Sequence, residues 1–232
     1  RYERTNEYLE VMRTVWEATE PVDFEGKYYR MSRAVSEVQA HQKPHVPLWF
    51  GGVSDAASPV GARHCDTYAL FGEPRAQVTQ LMSRINTEAA QYGRRPSYNL
   101  SFRPIIGATE EEAWRKAKAI LAGVEASGGG GGHGVPQAET ARRLMRLIEG
   151  GEIQDECLWV PIAAAAKGSG NSTALVGTAE QVAEAIAKYY DLGVKGVLIR
   201  GFDPFNDAIE YGKELIPQIR EKVAARDAAK TA

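Results

Sequence analysis

LWFGGVSDAA, residues 48–57, runs three apolar residues into Gly51-Gly52 and then sets Ser54-Asp55 ahead of a helix-like segment. Two readings of this junction stand side by side. In one, the glycines only give the backbone freedom for a tight strand-to-helix turn, and Ser54 caps the helix. In the other, the bend is a phosphate cradle, because N–H groups at a helix start bind anions when no Cβ stands in the way. The neighbouring segments decide which reading gains support.

Four apolar runs read as buried strands: VPLWFGG (46–52), DTYALFG (66–72), YNLSFRPIIGA (98–108) and VKGVLIRGF (194–202). Amphipathic helices alternate with them. Val78, Leu81, Met82 and Ile85 share one face of the segment 73–93, and Thr109 heads an acidic first turn over 109–126. A helix follows to about residue 149, TALVGTAEQVAEAIAKYYDLG (173–193) reads as another with Thr178 as its cap, and a last one starts at Pro204. Leu9, Met12, Val15 and Trp16 form a stripe on an opening helix, and VDFEGKYYRM (22–31) reads as a hairpin turning at Glu25-Gly26. SGGGGGHG (127–134) cannot hold regular structure and is expected to be a mobile loop, while residues 151–172 read as irregular.

Strands alternating with helices imply parallel βαβ units, and strands apolar on both faces imply cover on both sides. No GxGxxG fingerprint follows any of these strands, which argues against a dinucleotide-binding sheet. A (β/α)8 barrel takes ~250 residues, so four strands and an inserted loop are expected to form its second half, a partial barrel in one domain over residues 1–232. Barrel ligands sit at the carboxyl ends of strands, and late strands hold phosphate. Gly51-Gly52 lies at such an end, which favours the cradle.

The totals exclude other classes. A net charge of −2 with no basic block argues against nucleic acid, and no apolar run is long enough for a bilayer. With 44% hydrophobic residues in 232, a sizeable core is available. Cys65 and Cys157 stand far apart and the four histidines form no ligand pattern, so no metal and a reducing, cytoplasmic compartment are expected.

RYERTNEYLEVMRTVW, DFEGKYY, PLWFGGVSDAA, DTYALFGEP, ATEEEAW and the segment from GNSTALVGTAEQ to KELIP resemble the bacterial-luciferase-like flavin-dependent monooxygenases, most of all the alkanesulfonate monooxygenases. The likeness covers nearly the whole chain, in order, and starts well inside the family pattern. It implies a luciferase-type (β/α)8 barrel that binds reduced FMN (FMNH2) supplied by a separate NAD(P)H:flavin reductase. It also implies molecular oxygen as co-substrate, adding at the flavin C4a position to give a peroxide that attacks the substrate, and a homo-oligomer when the protein is full length. Gly51, Gly52, Val53 and Ser54 match the family's FMN-phosphate loop, and Tyr2 matches a tyrosine that reaches the same phosphate.

Departures accompany the likeness. The Arg-x-His pair of the alkanesulfonate enzymes is replaced by Ser101 and Arg103; their tyrosine after the last strand is Phe202, a serine near it is Arg200, and a loop arginine has only Lys167 nearby. Arg103 and Arg200 are therefore the candidate catalytic residues, as cationic forks for an anionic head group. The plainer alternative makes them partners of Glu73, Asp203 or a helix carboxylate. The glycine loop reads as a lid or a linker, His133 as a solvated residue, and Asn171, Ser172 and Thr173 as caps or ligand contacts. The four tryptophans read as core or interface aromatics, and His64 and Cys65 as packing residues at a helix end. Rival readings are a deazaflavin (F420)-dependent oxidoreductase of the same superfamily and a noncatalytic flavin-binding subunit.

Overall fold

Helix α1 (Tyr2–Glu17) is tied through the Glu7 carboxylate to the antiparallel hairpin of β1 (Val22–Glu25) and β2 (Arg30–Ala34). Glu7 accepts hydrogen bonds from the N–H groups of Lys27, Tyr28 and Tyr29 at 3.1, 2.7 and 2.7 Å, satisfying the hairpin turn. A Cβ on Gly26 would press on the Glu7 carboxylate, so a side chain there would displace the group that satisfies the turn. The computed structural model describes residues 1–128, 138–168 and 173–231. They form two compact units: Arg1–Tyr68 with Ser83–Ser97, and Ala69–Met82 with Tyr98–Ala232.

The first unit continues with β3 (Trp49–Gly51), α2 (Ser58–His64), the start of β4 (Thr67–Phe71) and the second half of α3 (Arg75–Ala90). Leu48 ties β3 to β4: its carbonyl accepts from the N–H groups of Asp66 and Thr67 (2.8 and 3.1 Å), and its own N–H donates to the Asp66 carboxylate at 2.8 Å. Ala57, Val60, Ala62, Tyr68, Ile85 and Ala89 make the buried interior, with the Phe50 and Tyr68 rings edge to face at 5.7 Å.

The second unit is built on β5 (Ser97–Gly107), whose Ser101 carbonyl accepts from Gly72 N–H just past β4 (2.9 Å). Helix α4 (Glu110–Ala126) follows, with Thr109 Oγ1 accepting from Glu112 N–H at 3.2 Å, as its sequence indicates. Next come α5 (Glu139–Arg146) with a 3-10 turn to Gly150, β6 (Ile153–Gln154), β7 (Leu158–Trp159), α6 (Pro161–Ala165) and β8 (Ala174–Thr178). The chain closes with α7 (Ala179–Asp191), β9 (Gly196–Ile199), α8 (Pro204–Glu210), a π-helical turn and α9 (Ile216–Thr231). β5 is parallel to β9 through Asn99↔Gly196 to Phe102↔Ile199, and parallel to β8 through Arg103↔Ala174 to Gly107↔Thr178. β7 pairs antiparallel with β8 and with β6.

Three expectations need correction. Residues 174–177 form a strand, not a helix start: Leu175 and Val176 are buried between β5 and β7, and the helix begins only where Thr178 and Gln181 form a reciprocal capping box. Residues 151–168 contain two short strands and a helical turn rather than irregular chain alone, so the described residues hold more than four strands. Two-sided burial holds for β5 and β8 but not for β3 and β9, where Trp49 is 61% and Leu198 51% exposed. Apolar composition marks a strand, but the number of covering layers is a tertiary property. Most of the glycine loop including His133, together with Asn171 and Ser172, lies outside the described residues.

Candidate functional site

The FGGVS bend leaves β3 with Gly52 at φ 150°, a conformation that side-chain-bearing residues rarely adopt. A Cβ there would stand 3.1 Å from Ala57 Cβ and 3.5 Å from the Phe50 ring. The bend closes on the Ser54 carbonyl, which accepts from the N–H groups of Ala57 and Ser58 at 2.9 Å each. The N–H groups of Ser54, Asp55 and Ala56 take no part in that turn. Ala57, not Ser54, holds the cap position of α2, and no side-chain cap bond is made. The Ser54 hydroxyl is therefore not spent on capping, contrary to the plainer reading of the junction.

Two residues hold the bend from below. Burial pushes the Tyr68 phenol upward, so it stays a donor, and its hydroxyl bonds the Gly52 carbonyl. Arg84, from α3, donates through Nη2 to the Val53 carbonyl (2.5 Å) and Ser58 Oγ (3.0 Å), and through Nη1 to Asp55 (3.3 Å). Sequence reading passed over Arg84. A signal existed: Arg84 and Glu88 share the stripe of Leu81 and Ile85, where a charge is costly unless used. Tyr2 is half-buried and its hydroxyl accepts from Arg1 Nη2 at 2.9 Å; among the described residues no hydrogen bond joins it to residues 51–54.

In the second unit, Arg103 stands where β5 passes from one partner to another. Phe102↔Ile199 is the last pair with β9, Arg200 N–H still reaches the Phe102 carbonyl (3.1 Å), and Arg103 N–H turns to the Thr173 carbonyl (3.0 Å). The Arg103 guanidinium donates to the Gly201 carbonyl at 2.7 Å and lies 4.8 Å over the Phe202 ring. Its pKa is lowered by burial and then by the charge of Arg200, so the two cations feel each other at a strand end. Glu73 and Asp203 are engaged elsewhere. Glu73 takes a bidentate bond from Arg143 (3.0 and 2.5 Å), and Asp203 caps α8 by accepting from Asn206 N–H (3.3 Å). Lys167 is exposed after α6.

Burial pushes both cysteine thiols up to about 12, so neither is a nucleophile, and no cluster of three or more His, Cys, Asp or Glu side chains suits a metal among the described residues. No described helix is long and apolar enough to cross a membrane.

The sequence pattern of the luciferase-like monooxygenases matches residues 1–196. The chain belongs to that family. Solved structures agree on the luciferase-like fold. Riboflavin lyase RcaE, determined with modified FMN and riboflavin, superposes with a TM-score of 0.75 at 21% identity, covering 95% of this chain and 57% of its own. EDTA monooxygenase EmoA from Chelativorans sp. BNC1 gives 0.68 at 20% identity, covering 96% and 60%. An F420-dependent secondary alcohol dehydrogenase, in complex with an F420-acetone adduct, gives 0.63 at 16%, covering 94% and 62%. The luciferase-like chain described here thus spans little more than half the length of these relatives.

Proposed function

We propose that this chain belongs to an FMNH2-dependent two-component monooxygenase acting on a small anionic substrate, an alkanesulfonate or similar organosulfur compound, with a separate flavin reductase as partner. The observation that carries the reading is the bend at Gly51, Gly52, Val53 and Ser54. It combines a glycine-only conformation, N–H groups left out of the turn and a hydroxyl not used for capping. Those features suit a phosphate monoester, the charged end of FMN. When bound, FMN supplies the activation of oxygen for transfer to the substrate. In this reading Ser54 and the bend amides hold the phosphate, Arg84 and Tyr68 keep the bend in shape, and Tyr2 adds a phenol. Arg103 and Arg200 draw an anionic head group to the carboxyl end of their strands.

The test is a titration of the chain with FMN and with riboflavin, which lacks the phosphate. FMN binds more tightly, and Gly52→Val with Ser54→Ala removes that advantage. Equal affinity for the two ligands, or an advantage that survives both substitutions, ends the reading. The F420-dependent relative keeps a second reading open, since the phosphate of a deazaflavin has the same needs. Tighter binding of F420 than of FMN selects it.

A further inference from the structure

A second cluster in the first unit has no part in the bend. His64, at the last position of α2, is 2% exposed and donates through Nε2 to Asn6 Oδ1 at 2.9 Å. Asn6 is oriented by its own Nδ2 donating to Glu10 at 3.4 Å, which fixes Nε2 as the protonated nitrogen of the neutral ring. The other ring nitrogen, Nδ1, is buried without a hydrogen-bond partner, and so are Arg13 Nε and Arg94 Nε. All three residues line one open cleft of about 360 Å³ with Glu10, Thr14, Glu17, Arg63 and Tyr92.

The carboxylates around this cleft are already committed. Glu10 pairs with Arg63; Asp66 takes Arg94 Nη2 at 2.8 Å and the Leu48 N–H; Glu17 stands 3.5 Å from Arg13 Nε and 3.8 Å from His45 Nε2. What remains lines one cleft from α1, α2 and the segment after α3: Arg94 Nε without an acceptor, Arg13 Nε facing Glu17 only as an ion pair, and His64 Nδ1 without a donor. Burial first, then the charges of Arg63, Arg13 and Arg94, hold His64 down to about 4. The three guanidinium groups are thus close enough for the ring to feel each of them.

We propose that this cleft binds a small oxyanion, inorganic phosphate or sulfate, with Arg13, Arg94 and a protonated His64 as its donors. A tetrahedral anion accepts from three directions at once, which a single carboxylate does not. Its charge would reverse the field around His64, so binding takes up one proton at Nδ1. The cleft is not the phosphate bend: the whole of α2, about 10 Å long, lies between them. The inference is independent of the flavin reading and stands or falls without it.

The probe is sulfate against chloride at matched ionic strength, read on the ring proton resonance of His64, assigned through His64→Gln. Sulfate raises the His64 midpoint by about one pH unit or more. Arg13→Gln reduces that rise, and so does Arg94→Gln. A midpoint that is the same in sulfate and chloride, or a rise untouched by both substitutions, overturns the site. Inorganic phosphate and ethyl phosphate, compared in the same assay, distinguish a free anion from the end of a phosphate ester; an effect of either supports the site.

Discussion

Arg84 Nη2 donates at once to the Val53 carbonyl and to Ser58 Oγ, so one guanidinium fixes both the exit from β3 and the first residue of α2. Between those anchors lie the amides that the flavin reading uses. Arg84→Met keeps the packing stem and removes five donors. FMN affinity is expected to fall by about tenfold, the worth of ~1.4 kcal/mol, with a far smaller loss for riboflavin. Isothermal titration with both ligands separates this from general destabilisation, which would weaken the two equally.

Glu73 is 1% exposed and its carboxylate is held by Arg143, while the Tyr189 hydroxyl donates to its backbone carbonyl at 2.8 Å. Removing one member of a buried pair leaves a charge without compensation. Glu73→Gln is expected to cost about 3 kcal/mol, which for a chain of this size lowers Tm by roughly 10 °C. The double variant Glu73→Gln, Arg143→Met recovers part of that loss. Thermal unfolding of the three variants checks the order.

Much of this architecture was legible in the letters, for identifiable reasons. Thr109 and Thr178 each precede a residue able to complete a cap three positions on, and caps are local chemistry. The hairpin around Gly26 and the strands at 67–71 and 98–107 were likewise readable from turn residues and apolar runs. β8 was missed because ALVGT pairs with residues some 70 positions earlier, and nothing in five letters announces that partner. The bend was visible through Gly51-Gly52, but its support was not. Arg84 lies 30 residues from Ser54 and becomes informative only once α3 is placed. Trp49 reads as a core or interface aromatic and is largely exposed, because apolarity does not reveal whether a second layer exists on that face.

Arg103 and Arg200 give a test of substrate charge. The Arg103 guanidinium donates to the Gly201 carbonyl and lies over the Phe202 ring, which sets its planar fork at the carboxyl end of β5. In an enzyme containing this chain, Arg103→Met is expected to lower kcat/KM for a sulfonate by tenfold or more, about 1.4 kcal/mol of transition-state binding. Arg103→Lys recovers little, since an ammonium cannot reproduce the fork. Arg200→Met, at an exposed position, acts in the same direction more weakly. FMN affinity stays unchanged in all three.

The acid limb of stability gives the last prediction, because two groups act in windows that overlap only between about pH 4 and 4.5. The His64 ring is held to about 4 in the folded chain against 6.5 unfolded. Between those values the unfolded chain binds a proton that the folded chain refuses, so stability falls as pH drops from 6.5 and the loss is complete below about 4. Glu156 behaves in the opposite chemical sense: bonded first by Arg75 and also by Lys188, it is lowered to about 2 from 4.5. Its contribution is full above 4.5 and disappears as pH falls toward 2. Urea unfolding in chloride buffer between pH 7 and 5 therefore reports His64 with little interference from Glu156. His64→Gln keeps a donor for Asn6 and has no proton to gain, so its stability curve is flatter than the parent's across this range. Parallel curves for parent and variant would mean that the ring ionises without cost beside Arg13, Arg63 and Arg94, and would overturn the prediction.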